Sequence, residues 1–180
     1  MRRFTLAVFT AGGVAAAAAG VYAAGHAAKD VALEFPADYK SSFVNYYNGD
    51  RQNGKQFISL YASPLAIQSA QANGEVPYGS VLIGELYPVV TDADGEPVES
   101  SLGRLISKGE PSAIVMMQRI TGNDERYEAD LKVGDWEFEV FSPSGENLGK
   151  DTTACRECHH PHSETEFLYS REHLTLKPES

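Results

Sequence analysis

The chain contains two cysteines, and both stand beside a histidine in Cys155-Arg156-Glu157-Cys158-His159. Two thiols and an imidazole at this spacing can do four kinds of chemistry. They can close a disulfide, but a bridge across two intervening residues makes a very small loop and constrains the unfolded chain little. They can act as a dithiol redox pair, which calls for cysteines opening a helix in a βαβ unit rather than lying after the last strand, near the chain end. They can enter a zinc site, which needs about four ligands and would draw on His160 and His162. They can also hold a c-type haem, and for this the spacing has a direct physical reason. One helical turn presents both thiols to vinyl groups on one edge of a porphyrin, and the next residue brings its imidazole under the ring to the iron. The sequence favours this last reading. It makes Cys155 and Cys158 the expected attachment points of haem c and His159 the expected proximal iron ligand.

The sixth position on the iron decides what such a centre does, because an electron-transfer cytochrome fills it with a second strong ligand. The candidates are Met116, Met117, His26, His160, His162 and His173. His160 adjoins the proximal ligand and cannot reach the far side of the ring. Met116 and Met117 sit among Ile and Val, where a methionine ordinarily fills core. With no strong sixth ligand, one face of the iron is open to a small gas or nitrogen oxide.

Elements that could position this site follow from periodicity. Pro36 stands near a helix start, with Phe43, Tyr46 and Tyr47 on one helical face. A strand centres on Phe57 and Ile58. Ser63, Pro64 and Gly74 mark the cap, first turn and stop of a short helix. A strong strand runs through "YGSVLIGELYPVV" to Pro88, and Asp94-Gly95 signals a turn. "SAIVMMQRI" is a buried strand, and residues 121–135 are polar loop with a turn of helix. In "DWEFEVFSPSG" Trp136, Phe138 and Val140 share one face, Glu137, Glu139 and Phe141 the other, before a Ser-Pro-Ser-Gly turn. The cysteine segment comes next, and "ETEFLYSREHL", residues 164–174, reads as helix. Strands and helices that do not alternate strictly predict an α+β fold: a mostly antiparallel sheet with short helices and a C-terminal haem-attachment helix.

With 180 residues and a net charge of −10, the chain is long enough for one core and lacks the basic face that nucleic acid or an anionic membrane would require. Residues 1–27 combine a cationic start, an alanine-rich apolar run and small residues around Ala23, Ala24 and Ala27. That is the layout of a bacterial secretory signal, more than of a retained anchor. The expectation is a signal peptide over 1–27, one haem domain over 28–180, and a periplasmic location.

An ordered set of pieces then resembles a known family. "FPADYKSSFVNYYNGDR", "LYASPLAIQSAQANGEVPYGSVLIGELY", "SAIVMMQR", "GDWEFEVFSPSG" and "ACRECHHPHSETEFLYS" are similar to the cytochrome P-460 family, which includes the cytochromes c-prime-beta. The resemblance implies an antiparallel sheet fold, one haem per subunit, often a homodimer, and five-coordinate iron with the motif histidine proximal. It separates the chain from the helical cytochromes c-prime. Within the family, cytochromes P-460 proper carry a lysine–haem cross-link, oxidise hydroxylamine and would pass electrons to a soluble cytochrome. Cytochromes c-prime-beta lack the cross-link and bind nitric oxide in an apolar distal pocket. No lysine occurs from Gln56 to Ser107, where the cross-link would be sought, so Lys55 is the remaining candidate, read first as a solvated strand-start residue. The nitric-oxide binder is therefore the first reading, the hydroxylamine oxidase the second and an electron-transfer cytochrome the third.

An oxidase also needs a proton acceptor near the iron. Glu85, Glu137 and Glu139 are strand glutamates. If the Trp136 face is core, Glu137 and Glu139 are solvated; if the other face covers the haem, one of them, with Glu139 the candidate, is a distal base. Phe43, Phe57, Tyr61, Tyr87 and Phe138 form the pool of distal or haem-packing aromatics.

Overall fold

A computed structural model gives the structure of the chain and describes residues 31–52 and 54–176. The signal-peptide reading of residues 1–27, and with it His26, lies outside the described residues. Five strands form one antiparallel sheet in the order β1 (Val44–Asp50), β2 (Phe57–Ala62), β3 (Val81–Tyr87), β4 (Ala113–Arg119) and β5 (Trp136–Phe141). Each strand pairs with the next in sequence, a meander that local turns can build. The helices are short: α1 (Tyr39–Ser42), α2 (Pro64–Asn73), α3 (Thr153–His159) and α4 (Arg171–Thr175). The architecture is α+β, as the strand and helix pattern predicts. In α2 the Ser63 hydroxyl accepts the Ala66 N–H, Pro64 occupies the first turn, and Gly74 closes the helix at φ +80°.

The register assigns every strand residue to a face. Leu60, Gly84 and Val115 stand side by side, as do Leu82, Met117 and, next across, Phe138. This face carries α2 and the C-terminal segment, with Ala62, Ala66, Val76, Trp136, Phe138, Leu168 and Leu174 in one buried cluster. The opposite face carries Ile83, Ile114, Met116 and Phe141 under Leu33, Phe35 and Tyr39 of the segment that precedes β1. Phe35 closes that layer at 5.0 Å from the Phe141 ring.

Three expectations are corrected here. Tyr46 and Tyr47 lie on β1 rather than on a helix; α1 stops at Ser42 because Phe43 turns extended, and a bulge between Asn45 and Tyr47 shifts the pairing with β2. Residues 164–174 do not form one helix, because Glu166 and Phe167 adopt left-handed φ values of +54° and +62°, and helix resumes only at Arg171. Glu137 and Glu139 are buried, not solvated, at 0% and 4% exposure. The Trp136 face is core, but the other face is covered too: Arg126, Tyr127 and Arg156 close over Glu137 and Asn147 over Glu139, while the N-terminal segment packs on Ile83, Ile114, Met116 and Phe141. Among the described residues no helix is long and apolar enough to cross a membrane.

Candidate functional site

A cleft of about 380 Å³ opens on the sheet face that carries Phe138, within the size range of small-molecule and cofactor sites. Ile58, Leu60, Leu82, Gly84, Val115, Met117 and Phe138 make its apolar wall. Gly84 matters there because a Cβ would stand 3.0 Å from Ile58 Cδ1 and Val115 Cγ2, so the bare backbone keeps the centre of the wall hollow. Cys155, Cys158 and His159 come from α3 on one side. Tyr47 and Asp50 of β1, with Arg51 and Gln52 of the turn that follows, complete the lining together with His173 from α4. A second concavity of about 430 Å³ lies elsewhere, between Phe35–Ser41 and Pro143–Ser144, and has no cysteine or histidine in its lining.

Helix α3 is two turns long and would be marginal alone. Arg156 fixes it. The side chain is 1% exposed and runs beneath the helix to β5, an outer strand of the sheet. It donates to the carbonyls of Leu131 (3.3 Å) and Trp136 (3.0 Å) and to Glu137 Oε2 (2.9 Å). Its guanidinium stacks 3.3 Å from the Tyr127 ring centre. Tyr127 and Arg126 also donate to Glu137 Oε2, at 2.7 and 3.1 Å. Burial raises the Glu137 carboxyl pKa, but the Tyr127 hydrogen bond and the Arg156 charge outweigh it and leave the group below its ordinary value. Nothing in the sequence pairs Arg156 with Glu137; the only local signal is an arginine placed between the two cysteines.

His159 is held as firmly. Its Nδ1–H donates to the Phe167 carbonyl at 2.6 Å, the only direction open because a carbonyl cannot donate. Nε2 therefore keeps its lone pair. Burial pushes the imidazole pKa below its ordinary value, with the charges of His162 and Arg51 adding to this and the Phe167 bond opposing it. A neutral imidazole with a fixed tautomer is what metal ligation requires. Phe138 and Tyr169 flank the ring edge-on at 5.1 and 5.2 Å. Tyr169 donates to the Cys158 carbonyl at 2.8 Å, and its oxygen lies 3.1 Å from Cys158 Sγ.

These groups fit a haem. The wall is apolar as a porphyrin is, two thiols lie one helical turn apart, an imidazole presents one open nitrogen, and Arg51 stands at the rim opposite in chemistry to the haem's carboxylate edge. Among the described residues no group of three or more His, Cys, Asp or Glu gathers for a metal ion, so the zinc reading lacks its ligand set. His160 donates from Nδ1 to the Lys132 carbonyl, and His162 packs against the Tyr169 ring at a tilt of 52°.

The other sequence candidates fall in different places. Phe138 lines the cleft. Phe43 and Tyr61 pack into the cluster on the opposite face. Phe57 and Tyr87 pair edge-on at 6.2 Å at one end of that same face. Tyr61 and Tyr87 donate to Glu85, which also accepts from Tyr39 and Lys40. Glu139 accepts from Asn147 at 2.8 Å, away from the cleft, because the pleat turns it from Phe138. Lys55 is exposed in the β1–β2 turn and is not in the lining. Met117 lines the cleft, whereas Met116 is buried on the far face. Sequence reasoning missed Tyr47, Arg51, Phe167 and Tyr169.

Comparison with known proteins adds one finding. The chain matches the model of the family described as Cytochrome P460 over residues 36–170, a span that contains the sheet, α3 and Tyr169. No curated protein matches the chain.

Proposed function

The chain belongs to the cytochrome P460 family, and from that premise we propose a periplasmic mono-haem c-type cytochrome that binds nitric oxide or a similar small nitrogen ligand. Cys155 and Cys158 carry haem c through thioethers, and His159 ligates the iron through Nε2. A haem held by these residues would supply an iron able to bind a small neutral ligand. The observation that carries this reading is the convergence of both thiols and the Phe167-bonded imidazole on one apolar cleft. The Ile58, Leu60, Leu82 and Val115 side chains admit a neutral gas and disfavour ions, whose desolvation they cannot repay. Arg51 and Tyr47 at the rim are the groups suited to the haem carboxylates. Assembly as a homodimer and electron exchange with a soluble cytochrome belong to the same proposal through family resemblance.

Hydroxylamine oxidation is the second reading, and it turns on a lysine cross-link. Among the described residues no lysine lines the cleft, and Lys55 is the nearest in sequence to lining residues. Electron transfer is the third, favoured by one observation: the Met117 thioether and the His173 imidazole share the cleft with His159.

One experiment separates the three. The protein is matured with haem, its mass is measured, and optical spectra are taken oxidised, reduced and after nitric oxide. Mass gain of one haem with a high-spin five-coordinate spectrum that changes with nitric oxide is expected. A strongly red-shifted reduced Soret band would establish the cross-link and the oxidase. A low-spin six-coordinate iron would bring in Met117 or His173 and remove the open site.

A further inference from the structure

Trp136 is the chain's single tryptophan and has no exposed surface. Three anchors around His159 lead back to it. Its backbone carbonyl accepts from Arg156 at 3.0 Å, and so fixes how α3 lies on the sheet. Its indole Nε1–H donates to the Glu166 carbonyl at 3.0 Å. Its cross-strand partner Arg119 pairs with the Glu166 carboxylate at 2.8 Å. Glu166 and Phe167 are consecutive left-handed residues, a backbone state that L side chains enter only when their surroundings impose it. The Phe167 carbonyl, one peptide further on, is the acceptor for His159 Nδ1–H.

We propose that Trp136 is the positioning residue of the proximal histidine. It sets the helix that carries His159 through its carbonyl, and the turn that orients the His159 ring through its indole N–H. The proposal rests on the haem reading of the cleft. Its consequence is electronic. A strong Nδ1–H···O=C bond raises the basicity of the ligating nitrogen, which favours the ferric state. Release of the Glu166–Phe167 turn weakens that bond and moves the equilibrium toward ferrous iron.

The test uses the haem-loaded protein. Trp136→Phe removes the N–H and keeps an aromatic ring in the core. Covalent haem and the far-UV circular dichroism of the wild type are expected to persist. The iron–histidine stretching band in resonance Raman is expected to move to lower frequency. The ferric/ferrous equilibrium is expected to shift about tenfold toward ferrous, about 59 mV for one electron. Arg156→Lys, which keeps the charge but not the planar fork, is expected to shift both readouts in the same direction. In the wild type, the lone indole N–H should exchange slowly with deuterium. An unchanged band and potential in a folded variant, or a fast-exchanging indole, would overturn the proposal. Wild-type protein without covalent haem would instead remove the reading on which it rests.

Discussion

Gly134 shows how tightly the residues around His159 are set. Its φ is +68°, and a Cβ built there would lie 2.7 Å from two carbons of the Phe167 ring. Gly134→Ala thus brings two penalties: a left-handed backbone, costing about 1–2 kcal/mol for a non-glycine residue, and an overpacked contact of about 1–3 kcal/mol. Urea denaturation should show a loss of at least about 2 kcal/mol, and a stability within 0.5 kcal/mol of wild type would contradict the geometry, that margin being about what a neutral surface change produces. The substitution acts on the residue whose carbonyl holds His159, so the iron–histidine band should move as well. At this scale the sequence was readable where chemistry is local. Cys155, Cys158 and His159 declare themselves by spacing, since one helical turn must present all three. Phe167 did not, because it acts through a backbone carbonyl that no side-chain pattern marks; Arg51 did not, because it joins His159 in the cleft from far away in the chain; and Glu137 misled because exposure depends on what covers a face, not on alternation within a strand.

The element that matters most to the site is α3, and Glu137–Arg156 is the contact that anchors it. Both side chains are almost wholly buried, at 0% and 1% exposure. Removing one partner of a buried pair leaves an uncompensated charge and costs about 3–5 kcal/mol. Glu137→Ala leaves the Arg156 charge buried without its carboxylate, so its loss should fall within that range, whereas Arg126 is part exposed and keeps Asn123. Pairing Glu137→Leu with Arg156→Met removes both charges at once, and the double variant should be more stable than either single variant. Additive losses in that double-mutant cycle would mean that the two groups do not act as a pair. The helix itself was legible from its motif, and α2 from its Ser-Pro start and Gly stop. Residues 164–174 were not. Their apolar spacing suits a helix, but the Trp136 indole and the His159 ring each demand a carbonyl there, and satisfying them forces two left-handed residues. Likewise β1 looked helical because Phe43, Tyr46 and Tyr47 have the spacing of one helical face; pairing with β2 overrode that pattern through a bulge.

Over the whole molecule the sheet divides two jobs between its faces. One face is apolar and holds the cleft; the other holds Glu85 and Glu137 as buried carboxylates. Burial raises the Glu85 pKa, but hydrogen bonds from Lys40, Tyr39 and Tyr87 outweigh it, and the group stays below its ordinary value. Glu137 is lowered for the reasons given above. Asp135 is lowered as well: burial raises it, and the Asp124 N–H, the Tyr78 hydroxyl and the Gly122 N–H prevail. A carboxyl whose folded pKa is depressed stabilises the fold above its unfolded value, about 4, and that contribution is lost as pH falls through the folded pKa. Stability should thus hold level from pH 7 toward about 5 in these three terms. Below about pH 4 it should fall by up to roughly 1.4 kcal/mol per pH unit for each proton the unfolded chain takes up in excess. Glu85→Gln removes one such carboxyl while keeping an acceptor for Tyr39 and Tyr87. It should lower stability at pH 7 and flatten the acid limb, so that the two proteins draw together as pH falls below the unfolded carboxyl value. Urea midpoints measured from pH 7 to pH 3 decide the matter, and parallel curves would mean that Glu85 is not a titrating lock. Because Glu85 faces away from the cleft, the Soret band of the haem-loaded variant at pH 7 should match that of the wild type, which separates a loss of fold stability from a change at the iron.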